Sequence, residues 1–175
     1  MTEFNSCAAL LSEENLKEAT AVYQEIKNLG ESPFDYLLDL QNRLQQNLES
    51  QYPGRTIAPR NIKTKGELAQ FLLDQKQAFD DEFQELLLSV AGTNKSAKDQ
   101  TTIWKKWKSG YEALRAEGVN EGLNQNEIVE RDFEIIDMAM FFNNMLLALG
   151  FDEQKVFQYY YLKNLENVRR YKDNY

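Results

Sequence analysis

Helix-start chemistry recurs along this chain, and no stretch alternates polar and apolar residues as a strand would. Ser12 precedes Glu13 and Glu14. Ser32 is followed by Pro33, an N-cap with proline at the first helical position. Thr64 with Glu67, and Asn124 with Glu127, have the spacing of a capping box. Asp152 opens the last amphipathic run, and Gly30 and Gly150 follow helical runs as C-terminal stops. The pattern predicts helices over 13–28, 33–49, 64–90, 101–117, 124–150 and 152–172. The segment 51–63, with Pro53, Gly54 and Pro59, predicts a loop, as does the polar stretch 91–100. Only three prolines and eight glycines interrupt 175 residues. The expected architecture is all-α, a bundle of about six helices in a single domain over 1–175.

Within that pattern one helix carries charge where it reads as buried. The run from Phe133 to Leu149 is almost wholly apolar, yet it holds Glu134 and Asp137. An unpaired buried carboxylate is costly, so such a group has a cation partner or a raised pKa. Glu82 and Glu85 repeat the spacing just before Leu86, Leu87 and Leu88. Residues three apart in a helix lie about 60° apart around the axis and about 4.5 Å along it, so each pair shares a face. The spacing alone is no commoner than chance in a chain with 28 acidic residues. The apolar surroundings set these two pairs apart, and four carboxylates facing one another would hold a divalent cation.

Composition narrows the chemistry. The chain has no histidine and a single cysteine, Cys7. It therefore lacks the commonest neutral-pH base, any Ser/His/Asp or Cys/His set, and the donors of a zinc site. A metal site here must be built from oxygen, which suits Mg²⁺ or Mn²⁺. Cys7 itself reads as a small apolar packing residue. The net charge of −8 opposes direct binding to a nucleic-acid backbone. No run reaches the ~18 apolar residues of a membrane span, and the first residues lack the pattern of a leader. The expectation is a soluble cytoplasmic protein without a membrane or nucleic-acid partner.

Three further groups complement the acids. Lys163, Asn167 and Arg170 fall on one stripe of the last helix, and a lysine and a guanidinium suit phosphate oxygens. On the second helix, Gln41 and Gln45 share a side with Phe34, Leu37, Leu44 and Leu48. Two amides on an apolar face need partners, and either a base edge or a protein group supplies them. Asn144 lies two turns beyond Asp137 on the same face, placed for a sugar or base contact. Trp104, Lys105, Trp107 and Lys108 bring rings and cations together, fit either to cover a nucleotide or to anchor the core.

Taken together, these motifs resemble the all-α nucleoside triphosphate pyrophosphatases, that is, MazG-like enzymes, dimeric dUTPases and the bacteriophage branch acting on dCTP and dUTP. Glu82, Glu85, Glu134 and Asp137 match the family's metal ligands. Gln41, Leu44 and Gln45 resemble its base-reading motif, with Gln45 where an asparagine is usual. Tyr160 to Asn164, with Asn167 and Arg170, resembles its C-terminal motif. Phe4, Asn5, Cys7 and Ala8, and the Trp104–Lys108 segment, are similar to the phage branch; Met140 stands where that branch has histidine.

The resemblance implies hydrolysis of a pyrimidine deoxynucleoside triphosphate, dCTP and also dUTP, to the monophosphate and pyrophosphate. It implies two or more Mg²⁺ (or Mn²⁺) ions, Glu85 as the base with Glu82 beside it, and a homodimer or higher homo-oligomer. It places the activity in pyrimidine pool control in the cytoplasm of an infected cell, and leaves room for association with phage nucleotide-synthesis enzymes. The competing expectation is a non-catalytic nucleotide-binding or interaction module on the same scaffold, which would bind without turnover.

Overall fold

The computed structural model describes residues 6–91, 105–107 and 109–172. Six α-helices are present among them: α1 (Glu13–Asn28), α2 (Pro33–Gln51), α3 (Lys65–Ala91), α4 (Ser109–Ala116), α5 (Gln125–Ala148) and α6 (Glu153–Lys172). Short 3-10 turns at Cys7–Leu11 and Pro59–Asn61 complete the regular structure. No strand occurs among the described residues, only an isolated bridge between Pro53 and Thr56. The fold is all-α.

Local chemistry accounts for the helix boundaries. Ser32 Oγ accepts the Asp35 N–H at 3.1 Å. The Thr64 and Glu67 box closes both ways: Glu67 N–H donates to Thr64 Oγ1 at 3.1 Å, and Thr64 N–H to Glu67 Oε2 at 2.8 Å. The backbone N–H groups of Lys63 and then Thr64 hold the Glu67 carboxyl below its ordinary pKa. Asn124 and Glu127 form the same reciprocal pair at 3.1 and 2.7 Å, and Asp152 Oδ1 accepts from Lys155 N–H at 2.8 Å. These caps satisfy donors that a helix leaves orphaned. Gly150, at φ +66°, ends α5 in a Schellman turn in which Phe151 N–H reaches Leu146 O at 2.9 Å.

Three sequence expectations change. The helix expected over 101–117 begins only at Ser109 among the described residues, and Lys105, Lys106 and Trp107 precede it. Three lysines within four residues oppose the positive end of a helix, which disfavours starting there. The apolar run of α5 is not buried all round: Ile135 and Ile136 are 50% and 52% exposed. On α2 the buried stripe is Leu38, Gln41, Asn42 and Gln45, while Leu37 and Leu44 face outward. Residues 38, 41, 42 and 45 are one helical face, rotated from the expected one.

The chain divides into two compact units, and the division falls within α1, α3 and α5. The first comprises 1–20 and 74–141; the second comprises 21–73 and 142–175. In the second unit Ile26, Leu38, Ala58, Phe71, Leu146 and Leu147 are buried. Each large side chain among them contributes on the order of 1.5–3 kcal/mol. There Glu153 N–H, at the start of α6, donates to Asp35 Oδ1 at 2.9 Å. In the first unit Val129 is the buried apolar side chain among the described residues. Arg131 ties the turn before α5 by reaching Asn120 Oδ1 at 3.0 Å and Val119 O at 3.4 Å.

Candidate metal centre and nucleotide-contact residues

The first unit brings acids of α3 and α5 together. One carboxylate oxygen each from Glu82, Glu85 and Glu134 lies within 4.8 Å of the other two. Glu82 and Glu134 are half-buried and Glu85 is exposed. Burial, then a hydrogen bond to Glu82, then the Glu85 charge push the Glu134 carboxyl up to about 7. Glu82 is also raised, chiefly by burial, while its bond from Glu134 pulls the other way. The opposite signs of that interaction make Glu134 the donor and Glu82 the acceptor whenever Glu134 is protonated. Asp137, three residues after Glu134, is raised by burial and adds its charge to the same region.

No lysine or arginine pairs with these four acids among the described residues. Crowded carboxylates without a cation either hold protons or bind a metal. The donor set fits a hard divalent cation: it is all oxygen, and ligands of octahedral Mg²⁺ lie about 3–4 Å apart, within reach of small side-chain rotations from this spread. The residues that would hold the ion are Glu82, Glu85 and Glu134, with Asp137 beside them.

A neighbour of this cluster was not evident from sequence pattern. Cys7 N–H donates to Glu130 Oε1 at 2.8 Å. Glu130 lies one turn before Glu134 on α5. Burial, the hydrogen bond with Glu130, and the charges of Glu130, Asp137 and Glu134 push the Cys7 thiol up to about 11. Cys7 is thus only partly buried and in polar company, not the apolar packing residue expected.

The second unit holds the amides. Gln41 Nε2 donates to Asn144 Oδ1 at 3.0 Å, and Asn144 is fully buried. The partner that Gln41 needed is therefore a protein group. Gln45 and Asn42 are buried on the same face of α2, and Asn42 Oδ1 has no hydrogen-bond partner among the described residues. Asn42 escaped notice because the wrong face of α2 was expected inside; its spacing from Leu38 and Gln45 was the available signal.

The basic stripe of α6 is only partly free for phosphate. Lys163 and Asn167 line a cavity of about 920 Å³ whose apolar wall includes Phe142, Leu146 and Tyr160. Arg170, in contrast, pairs with Glu166 at 2.9 Å, and Arg169 pairs with the same carboxylate at 2.8 Å. Arg169 and then Arg170 hold Glu166 down at about 2. Lys105 is half-buried in the turn before α4. Trp107 is 80% exposed, so it does not anchor the core. Trp104 and Lys108 lie outside the described residues.

Two full-length relatives match this chain. It is 34% identical over 170 residues to a dCTP pyrophosphatase of Enterobacteria phage LZ5, covering 97% of both proteins. It is 32% identical over 177 residues to the dCTP pyrophosphatase of Enterobacteria phage T4, covering the whole of both. A DNA replication protein of phage T4 is 32% identical over 166 residues, which are 94% of this chain and 41% of that protein. No family model matches, and no solved structure does. The fold is that of an all-α protein with an acidic, oxygen-only cluster. The chain belongs to the dCTP pyrophosphatase family of T4-like phages.

Proposed function

We propose that this protein hydrolyses dCTP to dCMP and pyrophosphate with a divalent cation, Mg²⁺ or Mn²⁺. The observation that carries the reading is the convergence of Glu82, Glu85 and Glu134 within 4.8 Å of one another, without a paired cation among the described residues, in a chain of this family. The cation, when bound, neutralises charge on phosphate oxygens and acidifies water. Glu82, Glu85 and Glu134 would hold it, with Asp137 beside them. Glu85 is the most exposed of the convergent three, and its carboxylate accepts the proton of the attacking water.

The family resemblance assigns base or sugar contact to Gln41, Gln45, Asn144 and Asn167; Asn144, fully buried, would serve by holding the Gln41 amide in place. A glutamine amide offers both donor and acceptor, so it can meet the 4-amino group of cytosine or the 4-oxygen of uracil. Activity on dUTP follows as part of the proposal. Lys163 and Arg170 contact phosphate; Arg170 must then leave or share Glu166. Lys105 and Lys108 add cations, and Trp104 and Trp107 offer stacking faces. The cellular role is removal of dCTP and supply of pyrimidine monophosphate during phage infection, in the host cytoplasm. No single helix among the described residues is long and apolar enough to cross a membrane.

A homo-oligomer belongs to the same reading. Ile135 and Ile136 on α5, and Phe157 and Tyr160 on α6 at 68% and 74% exposure, are large apolar side chains left open to water. Exposed apolar area of this kind marks an association surface.

The test is product analysis with purified protein: pyrophosphate, rather than orthophosphate, from dCTP only when Mg²⁺ or Mn²⁺ is present. Glu85→Gln should lower turnover by at least about 10²-fold with its helical circular dichroism intact. A Glu85→Gln protein as active as wild type would refute the assignment. Binding of dCTP without turnover by wild type would mean a nucleotide-binding module instead.

A further inference from the structure

The contact between Cys7 and Glu130 joins residues 123 positions apart and sits beside the acidic cluster. Glu130 precedes Glu134 by four residues and Asp137 by seven, so the three share one stripe of α5. Its Oε1 accepts the Cys7 N–H at 2.8 Å, and the Glu130, Glu134 and Asp137 carboxylates lie within electrostatic reach of the thiol. The Cys7–Leu11 turn is itself tied to α1: Asn15 Nδ2 donates to Leu10 O at 3.1 Å, and Asn15 N–H to Ser12 Oγ at 3.2 Å. The turn therefore rests on the acidic stripe as a short, internally braced piece.

We propose that Glu130 is a positioning residue that seats the Cys7–Leu11 turn on the acidic stripe of α5, and that this seating and divalent-cation binding at the neighbouring carboxylates strengthen each other. The proposal rests on the metal-dependent reading above. Two physical effects couple the events. A bound cation removes the mutual repulsion of Glu82, Glu85, Glu134, Asp137 and Glu130, leaving Glu130 free to hold the backbone N–H. The seated turn in turn removes water from one side of the cluster, and charge interactions strengthen as water is excluded. Coupling between two binding events is reciprocal.

Cys7 is the sole cysteine, so the full chain carries its own probe. N-ethylmaleimide labelling, followed by intact mass and with each rate divided by the thiolate fraction from a pH–rate profile, reports the seating without reference to turnover; calorimetry with Mn²⁺ reports the site. In wild type, saturating Mn²⁺ should slow labelling about tenfold. Glu130→Gln keeps an oxygen that accepts the Cys7 N–H, whereas Glu130→Ala does not. The Mn²⁺ dissociation constant should stay within about threefold of wild type in Glu130→Gln and rise about tenfold in Glu130→Ala, which should also lose the protection.

Equal, large losses of Mn²⁺ in both variants would make Glu130 a ligand and overturn the positioning role. Wild-type labelling indifferent to Mn²⁺, in protein that calorimetry shows to bind it, would overturn the coupling and needs no variant that folds. If wild type bound no Mn²⁺, the metal-dependent reading and the coupling would both fall. The seating would then stand or fall on whether Glu130→Ala labels faster than Glu130→Gln without metal.

Discussion

The two units handle buried polar groups in opposite ways. In the first, three carboxylates on α3 and α5 converge with no lysine or arginine paired to them among the described residues, and burial and crowding raise the Glu134 carboxyl. In the second, Gln41 on α2 and Asn144 on α5 satisfy each other as a neutral pair inside a core of Ile26, Leu38, Phe71, Leu146 and Leu147. Like charges in contact store repulsion that a cation or a proton relieves, whereas a neutral amide pair is complete as it stands. The contrast separates a place that is waiting for a charge from one that already has its hydrogen bond. It also matches the packing: the amide-bearing unit has most of the buried apolar side chains, and the acid-bearing one buries Val129 alone among the described residues.

Four substitutions and titrations would break or sharpen this contrast. The largest effect is expected at the acids. Glu134→Gln should cost at least about 10²-fold in pyrophosphate release from dCTP, because the amide cannot supply the charge that holds a cation. Retained activity would show that the cluster is a structural proton-sharing pair and nothing more.

Asn144→Ala comes next, as a loss of stability rather than of chemistry. It leaves the Gln41 amide buried without its acceptor and should cost about 1–3 kcal/mol by urea denaturation. A modest loss of dCTP affinity should accompany it if Asn144 also touches nucleotide.

The pH response then distinguishes the units in the metal-free protein. Folding raises the Glu134 carboxyl from 4.5 to about 7. The folded form therefore keeps a proton that the unfolded chain releases. The contribution of Glu134 to stability is fully present below about pH 4.5 and is lost as pH rises through about 7. Wild-type melting temperature, measured relative to Glu134→Gln, should fall across that window, and Mg²⁺ should restore it above pH 7. A difference that stays flat with pH would mean that Glu134 is no more coupled than a solvated acid. Glu166 has the opposite sign: its stabilisation is lost as pH falls through about 2.

The smallest effect is expected at Asn42. Its Oδ1 is buried without a partner, so Asn42→Leu should be neutral or stabilising by about 1 kcal/mol. A clear loss of stability would mean that the amide face of α2 works as one connected network.

Much of the architecture was legible before any coordinates. The five helix starts were visible because a capping bond joins residues three apart, and such bonds formed at Ser12, Ser32, Thr64, Asn124 and Asp152. Among the described residues the start of α4 lies later than the expected 101, because Lys105, Lys106 and Lys108 oppose the positive end of a helix. The spacing of the acids, of Gln41 and of Asn144 was visible along the chain, but the bond between Gln41 and Asn144 was not. The stripe of Arg170 fits either phosphate or an ordinary solvated face with Glu166 nearby, and Glu166, four residues before it, takes its guanidinium.

Sequence by itself determined the helices, their caps and the kind of chemistry available: oxygen donors only, no imidazole, one thiol. Those follow from contacts within a few residues and from composition. Tertiary structure alone decided that Glu134 meets Glu82, that Gln41 meets Asn144 across 103 positions, and that Cys7 meets Glu130 across 123. Periodicity states which face of a helix a side chain occupies. It cannot state what stands opposite, and Coulomb and hydrogen-bond energies depend on distance through space, not along the chain.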